Sequence, residues 1–223
     1  MRAYFCGTRG STPVNGAEQM HYGGYTSCIG LAHTGEPPTI VLDAGTGLQQ
    51  LPLALRGRAF RGTLLLTHLH WDHCANLKHF TKAQYIVHEV ELEFARNPIP
   101  PYYRSYEAPI TGHESPFWGV SFKTIKDDYE VIPGVVVIPT PGHSPGHQSV
   151  VVQTKSGKVI AAGDAVMSRE NLTGDDANHL RFNMLGRYVN MKDAWNSLEK
   201  LANIGGTILP GHDYGVFDHL LYQ

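Results

Sequence analysis

Apolar residues fall along this chain in short runs closed by glycine, proline or aspartate, and these runs alternate with segments of helical period. Arg2 to Cys6 reads as a first strand, with Gly7-Thr8-Arg9-Gly10-Ser11-Thr12-Pro13 as a turn-rich loop behind it. His21-Tyr22-Gly23-Gly24-Tyr25-Thr26-Ser27-Cys28-Ile29-Gly30-Leu31 runs from a glycine loop into a strand, its glycine pair being either a tight turn or the wall of a site. Thr39 to Leu42 is a strand, and Asp43-Ala44-Gly45-Thr46-Gly47 turns from it towards a helix. Gly62-Thr63-Leu64-Leu65-Leu66 is apolar enough for a buried strand. A short helix over Cys74 to Lys82, a strand over Gln84 to His88 and a helix over Glu89 to Arg96 follow.

Asn97 to Trp118 breaks this alternation, because five prolines are interleaved there with aromatic residues and no regular element is expected. A structureless stretch of this length serves as a lid, a binding loop or a contact with a second subunit, so a homodimer formed through residues 97–118 is one expectation. Strands resume at Ser121 to Ile125, Val135 to Thr140, Gln148 to Thr154 and Lys158 to Ala162, with Lys155-Ser156-Gly157 as a hairpin turn. Asp193 to Ile204 puts Ala194, Leu198 and Leu201 on one helical face, Gly205-Gly206 ends it, and Thr207 to Leu209 is the last strand. The alternation is that of an α/β protein, and two sheets packed face to face with helices outside would accommodate it. Neither a repeat nor a linker interrupts it, so residues 1–223 are expected to form a single domain.

Composition narrows the classes. With 18 Lys and Arg against 20 Asp and Glu, the formal net charge of -2 provides no general attraction to nucleic acid or an anionic membrane. Cys6, Cys28 and Cys74 lack the spacing of a disulfide framework or a zinc knuckle, which favours a reducing compartment. The first ten residues are too interrupted for a signal-peptide apolar region, and no apolar run reaches membrane-spanning length. A cytoplasmic protein is expected. The cluster Arg56, Arg58 and Arg61 reads as a solvated connection.

The candidate chemistry lies where strands end. Thr67-His68-Leu69-His70-Trp71-Asp72-His73 packs imidazoles and a carboxylate directly behind a buried strand, where they are poor core material and good ligands for a divalent metal. Three later strands end in residues of the same type beside glycine: His143 in Pro141-Gly142-His143, Asp164 in Gly163-Asp164, and His212 in Pro210-Gly211-His212. Strand-to-loop transitions are where α/β folds assemble their sites. Cys74 reads as a small buried hydrophobe, His147 as a residue supporting the ligands, and Trp71 as packing beneath the cluster.

In its His-x-His-x-Asp-His motif and three later ligand positions the chain resembles the metallo-β-lactamase fold metallohydrolases over nearly its whole length. That resemblance implies a four-layer αββα sandwich of two mixed sheets and a binuclear centre. His68, His70 and His143 would hold one ion, Asp72, His73 and His212 the other, and Asp164 would bridge them. The ions implied are two Zn2+, with Mn2+ or Fe2+ as alternatives that imidazole ligation also suits. A carboxylate between two cations offsets their repulsion at a spacing of roughly 3.5–4 Å, and two ions lower the pKa of a bridging water towards roughly 7. The bridging hydroxide would be the nucleophile and Asp72 the catalytic group that orients it and receives its proton.

The two halves resemble different branches. Gly7-Thr8-Arg9-Gly10-Ser11, Gly23 to Cys28 and Asp43 to Gly47 are similar to ribonuclease Z-like phosphodiesterases, with Tyr25 where asparagine is usual. Thr140 to Ser149, Gly163-Asp164-Ala165 with Arg169 to Leu172, and Asp193 to Pro210 are similar to N-acyl homoserine lactone lactonases. Tyr188 stands about one position out of register with a site tyrosine of those lactonases. Arg169, Arg181 and Arg187 are candidates for an anionic substrate group, and Tyr188, Arg169 and Arg187 are the candidate substrate-binding residues. The expected substrate is a small ester, lactone or thioester, with a small phosphodiester as alternative and a non-catalytic metal sensor as a second. Nucleic acid is disfavoured because no basic tRNA-gripping arm is present. A redox protein on this scaffold usually requires a flavin-binding partner domain and often a carboxylate at the position of His70, and a redox role is not expected because these residues show neither.

Overall fold

The computed structural model describes residues 1–14 and 23–218, so His21 and Tyr22 of the first glycine loop lie outside the described residues. The first sheet contains β1 (Arg2–Gly7), β2 (Cys28–Ala32), β3 (Ile40–Leu42), β4 (Gly62–Leu65), β5 (Ala83–His88) and β6 (Phe122–Ile125), in that spatial order. The second contains β7 (Tyr129–Ile132), β8 (Val135–Pro139), β9 (Gln148–Thr154), β10 (Gly157–Gly163) and β11 (Thr207–Pro210), ordered β11-β10-β9-β8-β7. Helices α1 (Leu51–Ala54), α2 (Trp71–Cys74), α3 (Glu89–Arg96) and α4 (Met191–Ile204) connect or follow the strands. Both sheets are mixed: β3, β4, β5 and β6 pair in parallel, as do β10 and β11, and the remaining pairs are antiparallel.

Strand alternation accounts for the layers. Ile40, Leu42, Leu65, Ile86 and Ile125 point inward and meet Val135, Val137, Val150, Val152 and Ala161 of the second sheet. Val41, Leu64, Leu66 and Val87 point the other way and pack under Leu51, Leu55, Leu92 and Ala95 of the helical layer. On the far side, Ile138, Ile160 and Ala162 pack against Leu198 and Leu201 of α4. The result is the αββα sandwich.

Strand directions then place the loops. β8 and β10 are both antiparallel to β9, and β11 is parallel to β10, so the C-terminal ends of β8, β10 and β11 share one edge. The ends of β3 and β4 share an edge of the first sheet. Gln148 joins the two sheets there, its backbone N–H donating to Thr67 O at 2.9 Å and its side-chain amide to Leu66 O at 2.8 Å.

Three stretches depart from expectation. The helix expected over Cys74 to Lys82 is instead α2 followed by a single 3-10 turn at Leu77–His79. Backbone groups that would extend the helix bond elsewhere: Ala44 N–H donates to His73 O and Asn76 N–H to Ala44 O. The proline-rich stretch holds two 3-10 turns, Pro100–Tyr102 and Pro109–Thr111, each opened by a proline whose fixed φ suits the first position and whose missing N–H is not needed there. Three of its aromatics, Tyr102, Tyr106 and Phe117, are buried in the core beneath the helical layer, while Ile99, Ile110 and Trp118 remain exposed. Finally, β7 was masked in the pattern by Asp127, Asp128 and Glu130, as befits an edge strand that needs one apolar face only.

The last helix begins at Met191 because Asn190 caps it, its side-chain oxygen accepting from Lys192 N–H at 3.0 Å and Asp193 N–H at 3.2 Å. Asn190→Ala is expected to lower unfolding free energy by about 1 kcal/mol, and Asn190→Asp to retain most of it, as read from urea midpoints at constant m-value. Among the described residues no helix is long and apolar enough to cross a membrane.

Candidate metal centre

Five strand ends deliver the site. The loop after β4 carries His68, His70, Asp72 and His73, β8 leads to His143, β10 to Asp164, β11 to His212, and β3 to Asp43. His143 is held where Gly142, at φ 135°, accepts from Val189 N–H and Asn190 N–H; a side chain there would collide with the Ala194 backbone at 2.3 Å. His212 is held by its N–H to Met167 O at 2.8 Å and by Gly211 N–H to Gly163 O at 3.1 Å.

The seven predicted ligand positions converge. His68 lies 4.1 Å from His73 and 4.8 Å from His143 between ring centroids. His143 Nε2 is 3.1 Å from His70 Nδ1 and 3.3 Å from Asp164 Oδ2. Asp164 Oδ1 lies 3.3 Å from His73 Nε2 and 3.1 Å from His212 Nε2. Three overlapping groups have ligand atoms within 4.8 Å of one another: His68, His70 and His143; His68, His73 and Asp164; Asp72, His73 and His212.

Hydrogen bonds on the outer side of the rings determine which nitrogen faces inward. His73 Nδ1–H donates to Asp43 Oδ2 at 2.7 Å, His143 Nδ1–H to Arg187 O at 2.7 Å, and His212 Nδ1–H to Thr8 O at 3.1 Å. The Thr67 hydroxyl donates to Asp43, so His68 Nδ1–H donates to Thr67 Oγ1 at 3.1 Å. In the neutral rings each Nε2 therefore offers a lone pair to the interior, the tautomer following from these acceptors. His68 Nε2, His73 Nε2 and Asp164 Oδ1 are buried and make no hydrogen bond there. Buried polar atoms without partners are costly, and inward lone pairs around a carboxylate fit cations.

Electrostatics agree. Burial holds His68 and His70 well below the usual imidazole range, so both are free bases at neutral pH. Burial works against a proton on His73, yet Asp43, Asp164 and Asp72 raise its pKa well above the ordinary value. Burial would raise Asp164, but His212, His73 and His143 hold it well below the carboxylate range. The anionic field that draws a proton on to His73 is the field that would hold a divalent cation.

Asp72 accepts Ser11 N–H at 2.7 Å, so the Gly7 to Ser11 loop reaches both Asp72 and His212. His147 supports Asp164, its Nε2 accepting the Asp164 N–H at 3.0 Å while Nδ1 faces Thr140 Oγ1 at 2.9 Å; burial lowers its pKa to about 3. Cys74 is buried, donates to Leu69 O and has its thiol pKa raised by burial. Trp71 is half-buried at the start of α2, its N–H bonded to Ser105 O.

The candidate substrate residues border the nest differently. Tyr188 donates its phenol proton to Leu185 O, and its pKa is raised by burial and, more weakly, by the field of Asp164. Arg187 reaches the aromatic loop, with its guanidinium 4.6 Å from the Tyr102 ring centroid and bonded to Pro101 O. Arg169 bonds Asp213, the neighbour of His212, at 3.0 Å. Arg181 lies over the Phe182 ring. Sequence reasoning missed Asp43, Thr67 and Glu91, which hold the ligand loops; the left-handed backbone of Asp43, φ 60° at a non-glycine, is visible only in the fold.

Two mixed sheets between helical layers, with an imidazole and carboxylate nest at one edge that could hold a metal ion, define an αββα protein. The chain belongs to the metallo-beta-lactamase superfamily, whose profile matches residues 23–212. It is 38% identical over 109 residues to an N-acyl homoserine lactonase of Bacillus cereus, an alignment covering 48% of this chain and 40% of the relative. An N-acyl homoserine lactonase AttM of Azorhizobium caulinodans is 26% identical over 154 residues, 66% of this chain and 56% of that protein. Among solved structures, a quorum-quenching N-acyl homoserine lactone lactonase superposes with a TM-score of 0.62 at 27% identity, covering 83% of this chain and 78% of that one. A Bacillus thuringiensis AiiA variant with N-decanoyl-L-homoserine bound at the active site superposes with a TM-score of 0.61 at 26% identity, covering 86% and 82%.

Proposed function

We propose that this chain is a binuclear metal-dependent hydrolase of a small ester or lactone, with an N-acyl homoserine lactone as the first substrate to test. The observation that carries the hydrolase reading is the set of Nε2 atoms of His73, His143 and His212 turned inward around Asp164. The similarity to proteins named N-acyl homoserine lactonases supports the substrate class.

In this reading His68, His70 and His143 hold one ion, Asp72, His73 and His212 the other, and Asp164 lies between them. Bound there, two divalent ions, zinc first among them, supply Lewis acidity and acidify water. The remaining work falls to the chain. Asp72, fixed by Ser11 N–H, orients the attacking water and takes its proton. The Tyr188 phenol can donate to a substrate carbonyl once that oxygen displaces Leu185 O as acceptor. Tyr102 and Tyr106, packed beside His70, form an apolar wall that lowers the local dielectric.

A phosphodiester is the second reading, favoured by the direct bonds of the Gly7 to Ser11 loop to Asp72 and His212. One zinc-loaded preparation assayed on an acyl homoserine lactone and on bis-p-nitrophenyl phosphate separates the two. Lactone turnover is expected to dominate, to vanish after exhaustive chelation and to return with metal. A strong preference for the phosphodiester would overturn the substrate assignment, and turnover of neither would overturn the enzyme.

A further inference from the structure

Glu91 sits in the first turn of α3, outside the nest and fully buried. Oε1 accepts Leu69 N–H at 2.9 Å and the Tyr106 hydroxyl at 2.9 Å; Oε2 accepts the Ser144 hydroxyl at 2.6 Å and Gly146 N–H at 3.3 Å. These donors work against the rise that burial imposes on its pKa. Four donors match the roughly four acceptor sites of an ionised carboxylate, so the group is saturated and its action on the site is indirect.

The donors come from three segments that are distant in the chain. Leu69 lies between His68 and His70, Ser144 follows His143, and Tyr106 belongs to the proline-rich loop and packs its ring against His70 with the centroids 4.7 Å apart. Gly146 approaches so closely that a side chain on it would meet Glu91 N at 2.1 Å. Through these bonds one carboxylate joins the segments that carry His70 and His143, whose nitrogens face each other at 3.1 Å. Asp72, His73 and His212 hang from other partners, namely Ser11, Asp43 and Thr8.

We propose that Glu91 is a positioning residue for one half of the nest, holding the His70 and His143 arms in register and docking the proline-rich loop on that same half. The inference rests on the two-ion reading above. It predicts a selective effect, because a merely structural carboxylate would weaken both halves alike.

The test is Zn2+ titration of the full apo chain against a chromophoric chelator, where the parent gives two dissociation constants and His143→Ala identifies the one belonging to its half. Glu91→Gln keeps the shape but turns an amide donor towards Gly146 N–H or Leu69 N–H. It is expected to weaken that same constant ~10–100-fold, and to leave the other within about twofold. Ser144→Ala removes one donor of four and is expected to weaken the same constant by about tenfold, carrying the test if Glu91→Gln does not fold. Equal weakening of both constants, or none, in a parent that binds two ions overturns the role of Glu91 alone. A parent that binds a single ion overturns the two-ion reading and this inference with it.

Discussion

Asp164→Asn is expected to leave the fold intact, reduce tight binding to at most one Zn2+ per chain, and slow hydrolysis by about three orders of magnitude. The carboxylate stands between the two halves, within 3.3 Å of His73, His143 and His212 nitrogens. An amide of the same size keeps the packing beside Gly211 but removes the negative charge that offsets two cations. Losing several kcal/mol of charge stabilisation corresponds to roughly a thousandfold in rate, at about 1.4 kcal/mol per factor of ten. Far-UV circular dichroism reports the fold, elemental analysis after gel filtration the ion count, and lactone hydrolysis the rate. Two ions retained with a rate within tenfold of the parent would remove Asp164 from its bridging role.

Asp43→Ala is expected to be the most damaging single change away from the ligands. Asp43 is 1% exposed and accepts from His73 Nδ1–H, Thr67 N–H, the Thr67 hydroxyl and the Ser27 hydroxyl. Truncation strands all of these donors in the interior, and alanine also tolerates the left-handed backbone at φ 60° poorly. Together these effects should cost about 3–5 kcal/mol of apo-protein stability by urea unfolding. Asp43→Asn tolerates the backbone and keeps one acceptor, so its loss in stability should be smaller while Zn2+ affinity still falls, because an amide donor opposes His73 Nδ1–H. A loss below about 1 kcal/mol for Asp43→Ala would show that neighbouring groups satisfy those donors without it.

The candidate ligands were legible in the sequence because each is a histidine or aspartate in or just after a strand end. A His-x-His-x-Asp-His run after a buried strand, and His or Asp beside glycine after later strands, carry their chemistry locally. The supporting residues carry no such mark. Asp43 in Asp43-Ala44-Gly45 reads as turn chemistry, and Glu91 in the first turn of a helix reads as an acid favoured by the helix dipole. Arg187 carries the mark of an anion-binding side chain in the sequence, and the fold adds that its guanidinium lies over Tyr102 and its carbonyl accepts from His143.

By itself the sequence determined most of the strand and helix order and which histidines and aspartates stand at strand ends, since these follow from periodicity and side-chain type within a few residues, while the αββα arrangement and the set of seven candidate ligands were what the resemblance to metallo-β-lactamase fold metallohydrolases implied. Only the tertiary structure decided which nitrogen of each histidine turns inward, which loop each buried carboxylate holds, and where the proline-rich aromatics pack. Those outcomes depend on hydrogen bonds between residues far apart in the chain, Thr8 with His212 and Glu91 with Ser144 among them. A pattern confined to neighbours along the chain holds no record of such partners; the register of two sheets and the direction of their strands create them.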